Sequence, residues 1–202
     1  MTSLFAFARC RFALAVLLLL GLFAPLQAAA QRSAGALQLD ATGPVTPVMV
    51  MYLKRGIQQA QASGAQFILL RLNTPGGGVL QMEEIVQLIR GSAVPVVVYV
   101  APRGAIAASA GTVITLAGHV AAMAPETAIG AASPVGSQGE DLGETISRKE
   151  KEILKATARS LAANRSLRAI QLAEATIEEA KAVSAQEALE AGLIDLIAND
   201  TA

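Results

Sequence analysis

The chain has 202 residues, enough for one domain with a sizeable core, and 53% of them are hydrophobic although only 3% are aromatic. Its 16 basic and 16 acidic residues leave no net charge. The sequence contains neither a basic run nor an aromatic platform, so nothing in it suggests a nucleic-acid surface. Cys10 is the only cysteine and His119 the only histidine, which excludes an intramolecular disulfide and a multi-histidine or zinc site. We predict neither a metal nor a cofactor.

Residues 1–30 have the pattern of a secretory signal peptide. Two arginines precede an apolar run over residues 12–26, and the alanines at 28–30 offer an A-x-A cleavage site. The run is shorter than the ~20 residues that span a bilayer comfortably, so an uncleaved anchor is the alternative. Cys10 lies before this run, which argues against a lipoprotein. We predict that the mature chain starts near Gln31 and is exported, either periplasmic or membrane-associated with its domain outside the cytoplasm.

Strand and helix patterns alternate along the rest of the chain, which we divide into a linker with the first strand (31–44) and one domain (45–200). The predicted strands are "LQLDATG", "FILLRL", "VPVVVYV", "HVAAMAP" and "LIDLI". Predicted helices begin at Thr46-Pro47, near Val79, at the small-residue segment around Ser109 and near Ser147, and Gly192 ends the last one. This alternation predicts an α/β domain with a mostly parallel sheet flanked by helices.

Two further patterns refine this assignment. The continuous β-branched run "VPVVVYV" predicts a strand that is covered on both faces of its sheet. Thr176 and Ser184 each stand three residues before a glutamate, Glu179 and Glu187, so each is a candidate capping box at the start of a helix.

Glycines follow the second predicted strand, in "RLNTPGGGV". In an open α/β sheet, ligands bind at the carboxyl ends of the strands. Glycines allow close backbone approach, and their N–H groups can bind an anion or a developing oxyanion. A plain glycine-rich turn is the alternative, and the spacing is not that of a phosphate-binding loop.

Ser109 follows the third predicted strand and opens a helix, where the helix dipole stabilises negative charge. The N–H groups of Ala110 and of Gly77, at the neighbouring strand end, would be donors to an oxyanion. A nucleophile at Ser109 therefore matches the requirements of acyl transfer. The alternative is that Ser109 is a small packing residue in an Ala/Gly-rich helix.

A nucleophilic serine also needs a base. His119 lies ten residues after Ser109, and a helix of that length spans ~15 Å, so we interpret His119 as a structural residue at a strand entry. A Ser-His-Asp triad is then unavailable. The remaining bases include the downstream lysines, for which burial would have to lower the pKa, and the spacing does not choose among Lys149, Lys151, Lys155 and Lys181.

Four motifs together, "LNTPGGG", "AASAGT", "HVAAMAP" and "IGAASPVG", resemble those of the NfeD family of membrane-associated serine proteases, relatives of ClpP and signal peptide peptidase A. The resemblance covers about residues 40–200. It implies a ClpP/crotonase-type fold and a Ser–Lys dyad with Ser109 as nucleophile and Gly77 and Ala110 as oxyanion donors. Counting back from the family's "SLA" segment puts the lysine on Lys149, and one shifted gap would move it to Lys151.

The resemblance also implies a partner and a larger architecture. Relatives are linked to stomatin-like membrane proteins, so the expected substrate is an apolar polypeptide segment, and we expect the chain to form a homo-oligomer. Long family members continue into transmembrane helices and a small β-barrel domain, whereas this chain ends after the protease-like part. The sequence leaves open a shortened or split gene and a stand-alone protease domain.

The leading functional hypothesis is thus a serine endopeptidase with a Ser109–Lys149 dyad. A catalytically inactive scaffold or binding module on the same fold is the alternative, in which the glycine loop would serve packing or β-augmentation. A crotonase-like acyl-CoA enzyme is opposed by the expected export and by the absence of a basic cluster for the CoA phosphates.

Overall fold

The computed structural model describes residues 35–136, 140 and 143–199. The predicted signal peptide and its cleavage point lie outside these residues. In the described part of the chain the strands are β1 (Leu37–Thr42), β2 (Ile68–Asn73), β3 (Val96–Val100), β4 (Ile106–Ala108), β5 (Val120–Met123), β6 (Ala128–Gly130), β7 (Ala182–Ser184) and β8 (Leu196–Ile197). The helices are α1 (Pro47–Ser63), α2 (Val79–Arg90), α3 (Ala110–Ala117), α4 (Glu144–Leu161), α5 (Leu167–Glu178) and α6 (Ala185–Ala191). None of these helices is both long and apolar enough to cross a membrane.

A five-stranded parallel sheet forms the centre of the fold, in the order β1-β2-β3-β5-β8. This confirms the predicted α/β domain with a mostly parallel sheet. β3 is covered on both faces, as its β-branched run predicts. Val98 belongs to the main core with helix residues such as Ile85 and Ile114, whereas Tyr99 belongs to a second cluster with Ala101, Ala122 and Ala124.

A second sheet of three strands, β4-β6-β7, was not predicted. β4 and β6 run parallel, and β7 pairs antiparallel with β6. Each strand has three residues, too few to show a period of two, and they are rich in alanine. This sheet changes the prediction for Ser109, which directly follows β4 and not the third predicted strand, now β3.

Several element boundaries were predicted correctly. Thr46 caps α1 by accepting a hydrogen bond from the Met49 N–H, and Pro47 is the first helical residue. Ser184 and Glu187 form a capping box at α6, and Gly192 ends that helix in the left-handed conformation.

Other boundaries differ from the prediction. The charged helix spans Glu144–Leu161 and therefore begins three residues before Ser147. The capping box at Thr176 is wrong, because this residue is buried inside α5 and its hydroxyl donates to the Ala173 carbonyl at 2.7 Å. α5 is instead capped by Ser166.

Candidate active site

Ser109 occupies the N-cap position of α3 with an unusual backbone conformation, φ 53° and ψ −120°. Positive φ is uncommon in a residue with a side chain, and such conformations cluster at functional sites. The Ser109 N–H donates to the Gly130 carbonyl at 3.0 Å, and the Ser109 carbonyl accepts from the Thr112 N–H at 2.9 Å. These bonds attach the serine to the end of β6 on one side and to the first turn of α3 on the other.

The Ser109 side chain is half-buried and does not cap its own helix. Among the residues that the structure describes, Oγ has no hydrogen-bond partner. A serine at a helix start ordinarily accepts from the N–H of the second or third helical residue. The conformation of Ser109 therefore leaves its hydroxyl available to a reacting group.

The glycine loop after β2 is attached to the strand that precedes Ser109. The Thr74 N–H donates to the Ile106 carbonyl at 2.8 Å, and the Thr74 carbonyl accepts from the Ala108 N–H at 3.0 Å. The Thr74 hydroxyl, fully buried, accepts from the Gly76 N–H at 3.1 Å. The two segments that the sequence singled out are thus held side by side.

Gly76 is in direct contact with the serine. A Cβ at this position would lie 2.6 Å from Ser109 Cβ, 3.1 Å from Ser109 Oγ and 3.2 Å from the Ala108 carbonyl oxygen. Its φ of 110° is also unfavourable for a residue with a side chain. Close approach of the loop to Ser109 is therefore the reason for a glycine here.

The two predicted oxyanion donors, the N–H groups of Gly77 and Ala110, have no acceptor among the described residues. Val45 bonds to both neighbours of Gly77, since its N–H donates to the Gly76 carbonyl at 2.8 Å and its carbonyl accepts from the Gly78 N–H at 3.1 Å. Within the described part of the chain, the N–H groups of Gly77 and Ala110 donate to no protein acceptor. Ala110 is the first residue of α3, where the helix dipole favours negative charge.

His119 is structural, as predicted. It follows the C-cap of α3, whereas Ser109 is the N-cap, and the eight helical residues between them span ~12 Å. Its Nδ1 accepts a hydrogen bond from the Val96 N–H at 3.1 Å. Burial and the nearby Arg90 lower the pKa of His119.

Two of the candidate lysines are engaged with the end of α5. The Lys151 ammonium donates to the Glu178 carbonyl at 2.9 Å. The Lys155 ammonium pairs with Glu152 at 2.7 Å and with the Glu178 carboxylate at 2.9 Å. Hydrogen bonds that the Lys155 ammonium donates to Glu152 and Glu178 raise the pKa of Lys155, so this residue stays protonated and is unsuited to act as a base.

Lys149 lies on the exposed side of α4, and Lys181 is exposed as well. On a helix, Lys149 and Lys151 are separated by about 160° around the axis, so the two residues face different surroundings. No hydrogen bond or ion pair joins Lys149 to another described residue. The structure therefore places Gly76, the neighbour of Gly77, beside Ser109 and Ala110 but does not place Lys149 in a hydrogen bond with Ser109.

Thr112, Thr74 and Gly130 hold the site together but were not predicted. Thr74 and Thr112 are buried, and Gly130 is the last residue of β6, where that strand pairs with β4. Both threonines lie within the quoted motifs, yet their partners come from distant segments. Only the pairing of β4 with β6 brings Gly130 to Ser109, and that pairing has no signal in the sequence.

Comparison with known proteins supports the predicted family. The model of the family described as NfeD1b, N-terminal domain, matches residues 40–202. The membrane-bound protease PH1510 of Pyrococcus horikoshii is 39% identical over 160 residues, which are 78% of this chain and 36% of that protein. The chain thus spans about a third of the length of this relative.

Solved structures show the same fold. A membrane-bound stomatin-specific protease, 1510-N, solved as a lysine-to-alanine variant with a substrate peptide, has 36% identity and a TM-score of 0.73 over 83% of this chain and 77% of its own. A serine-to-alanine variant of 1510-N has also been solved, at 35% identity, with a TM-score of 0.73 over 83% of this chain and 82% of its own. ClpP1 of Listeria monocytogenes, at 16% identity, has a TM-score of 0.65 over 81% of this chain and 92% of its own and confirms the ClpP-like fold alone.

Proposed function

The chain belongs to the NfeD1b N-terminal domain family, and from this we propose that it is a serine endopeptidase with Ser109 as its nucleophile. One observation carries the proposal, the conformation of Ser109: its φ is positive, Gly76 contacts it, and its hydroxyl has no hydrogen-bond partner among the described residues. The relatives named as proteases add support, since one was solved as a serine-to-alanine variant and as a lysine-to-alanine variant with a substrate peptide.

In the proposed reaction a neutral lysine takes the proton from Ser109 Oγ as that oxygen attacks the scissile carbonyl carbon. The N–H groups of Gly77 and Ala110 stabilise the oxyanion of the tetrahedral intermediate. The protonated lysine then gives its proton to the leaving amine as the C–N bond breaks. Water, deprotonated by the same lysine, hydrolyses the acyl-enzyme and restores Ser109.

We propose Lys149 as this base, with Lys151 as the alternative. In the structure Lys149 is exposed, so the dyad requires that the first turns of α4 present Lys149 to the serine when substrate is bound. Lys151 would first have to leave the Glu178 carbonyl. This difference makes the two lysines separable by mutation.

The deciding experiment is hydrolysis of an unfolded, apolar polypeptide by the parent chain and by Ser109→Ala, Lys149→Ala and Lys151→Ala. We expect the first two variants to lose activity by about a thousandfold or more, because each removes a reacting group. Lys54→Ala, an exposed lysine on α1, is the matched control and keeps its activity. Full activity in Ser109→Ala would refute the proposal, and loss in Lys151→Ala but not in Lys149→Ala would move the base to Lys151.

The proposed substrate is an apolar segment of a membrane protein, such as a stomatin-like protein. Val79 and Leu80 follow the glycine loop and Ile106 begins the strand before Ser109, and all three are exposed. These side chains offer an apolar surface beside the site. The stomatin specificity of 1510-N supports the same substrate class.

The alternative function is a catalytically inactive scaffold or binding module. The exposed position of Lys149, with no bond to Ser109, is the observation that favours it. A scaffold would bind an apolar peptide with equal affinity in the parent chain and in Ser109→Ala and would not cleave it. The hydrolysis experiment separates the two functions directly.

Export and self-association complete the proposal. We place the domain outside the cytoplasm, at the membrane, on the strength of the signal-like pattern of residues 1–30 and the membrane-bound relatives. Exposed apolar residues such as Val48 and Met51 on α1 support a homo-oligomer. Protease protection in intact cells and sedimentation of the purified chain measure the two properties.

A further inference from the structure

Thr112 lies one helical turn after Ser109 and has only 1% of its surface exposed. Its hydroxyl donates to the Ala107 carbonyl at 2.9 Å, with the Gly130 carbonyl at 3.2 Å as a second acceptor. The same oxygen accepts a hydrogen bond from the Gly130 N–H at 3.1 Å. A hydroxyl has one proton to donate and two lone pairs, so this one is well satisfied.

Both partners of the Thr112 hydroxyl, Ala107 and Gly130, lie next to Ser109. Ala107 is two residues before the serine, in β4, and Gly130 is the residue whose carbonyl accepts the Ser109 N–H. The Thr112 N–H also donates to the Ser109 carbonyl. One buried side chain thus joins β4, β6 and α3 at the point where the backbone takes its positive φ.

Thr115 is also buried and lies on the same helix, but its hydroxyl makes a different hydrogen bond. Its hydroxyl donates to the Gly111 carbonyl at 2.7 Å, four residues earlier in the same segment. Inside a helix, the hydroxyl of a threonine ordinarily donates to the carbonyl four residues earlier in this way. The hydroxyl of Thr112 instead bonds to β4 and β6, outside α3.

We propose that Thr112 is a positioning residue that holds Ser109 in its strained conformation and so keeps Oγ aimed at the substrate. The inference rests on the proposed role of Ser109 as nucleophile. Without the Thr112 hydroxyl, Gly130 loses a partner that fixes its orientation, and the acceptor for the Ser109 N–H becomes free to shift. The serine then relaxes toward a negative φ, and its hydroxyl turns away.

The test compares Thr112→Val, Thr112→Ser and Thr115→Val in the full chain, with cleavage kinetics and crystal structures. Thr112→Val keeps the shape of the side chain and loses the hydroxyl. We expect its kcat to fall about 100-fold with KM nearly unchanged, because a shift of about 1 Å in a reacting group has an effect of that size. Thr112→Ser restores kcat, and Thr115→Val, which removes an equally buried hydroxyl, keeps it.

The crystal structures give a readout that does not depend on catalysis. In Thr112→Val we expect Ser109 to leave its positive φ and to lose the hydrogen bond to the Gly130 carbonyl. A Thr112→Val variant with parental kcat, or with Ser109 still near φ 53°, overturns the inference. If the parent chain does not cleave peptides, the proposed function fails, and the Ser109 conformation in the Thr112→Val structure alone decides the inference.

Discussion

Ser109 and Gly76 come from separate segments of the chain, and the conformation of the serine depends on the absence of a side chain at Gly76. The serine lies at the start of α3 in a conformation that residues with side chains avoid, and Gly76 fills the space beside it without a Cβ. A nucleophile on a strained turn between a strand and a helix presents its hydroxyl outward. The proposed role of Ser109 as nucleophile gives one physical reason for both residue types, which is access for a reacting group.

Gly76→Ala is therefore expected to impair cleavage far more than folding. The new Cβ would clash with Ser109 and Ala108, and we expect kcat to fall about 100-fold through misplacement of the hydroxyl. Gly43→Ala is the matched control, because Gly43 has a similar φ of 103° but open space around it. Both variants lose about 1–3 kcal/mol of folding free energy to backbone strain, as denaturant unfolding would show. Equal kcat in the two variants would contradict the contact seen at Ser109.

At the scale of the elements, local signals place helix ends well and the start of α4 less well. α1 and α6 begin at capping residues with a side chain that accepts an N–H, and both end at a left-handed glycine. α4 has no side-chain cap at its start. α4 carries Lys149 and Lys151, the two lysines proposed as the base, and it contacts α5, a separate helix, through Lys151 and Lys155.

Ser184→Ala tests the capping box of α6. The variant loses the acceptor for the Glu187 N–H and the hydroxyl that donates to the Glu187 carboxylate, so we expect about 1 kcal/mol less stability in urea unfolding. Hydrogen bonds from the Ser184 N–H and hydroxyl lower the pKa of Glu187, so this part of the cap is lost as the pH falls through the folded-state pKa. Ser160→Ala, at an exposed position on α4, should stay within about 0.5 kcal/mol of the parent. A similar loss in both variants would rule out a special role for the box.

At the scale of the whole molecule, His119 connects the starts of two neighbouring strands in the central sheet. Its ring Nδ1 accepts from the Val96 N–H, and its backbone N–H donates to the Val96 carbonyl at 2.9 Å. Protonation of Nδ1 would remove the first of these bonds. Because β3 and β5 both belong to the main core, this change acts on the folding of the domain.

The free energy of unfolding should therefore depend on pH through His119. Burial and Arg90 lower its pKa in the folded state below the ordinary 6.5, so the unfolded chain binds the proton more readily. The contribution is fully present above pH 6.5 and is lost as the pH falls toward the folded-state pKa. His119→Gln keeps an acceptor but does not titrate, and urea unfolding across this range should show a flatter profile. An unchanged profile would mean that other groups determine the pH dependence.

The sequence by itself was enough to predict most of the fold and the segments of the candidate site. Hydrophobic periods and caps predicted the alternating elements and the parallel sheet, and small residues around Ser109 and in the glycine loop marked the candidate site. These features are local, because periodicity, capping and glycine conformation act over a few residues. The four motifs in order also predicted the family, which the comparisons confirm.

Only the tertiary structure decided how the site is held together. The three-residue strands β4 and β6 are too short to have a recognisable period, yet their pairing brings Gly130 to Ser109 and gives Thr112 its partners. The contact between Gly76 and Ser109 likewise follows from packing between segments far apart in the chain. The exposed position of Lys149 depends on which face of α4 packs against the rest of the domain. Such contacts depend on the whole arrangement of backbone hydrogen bonds, which no local pattern of residues specifies.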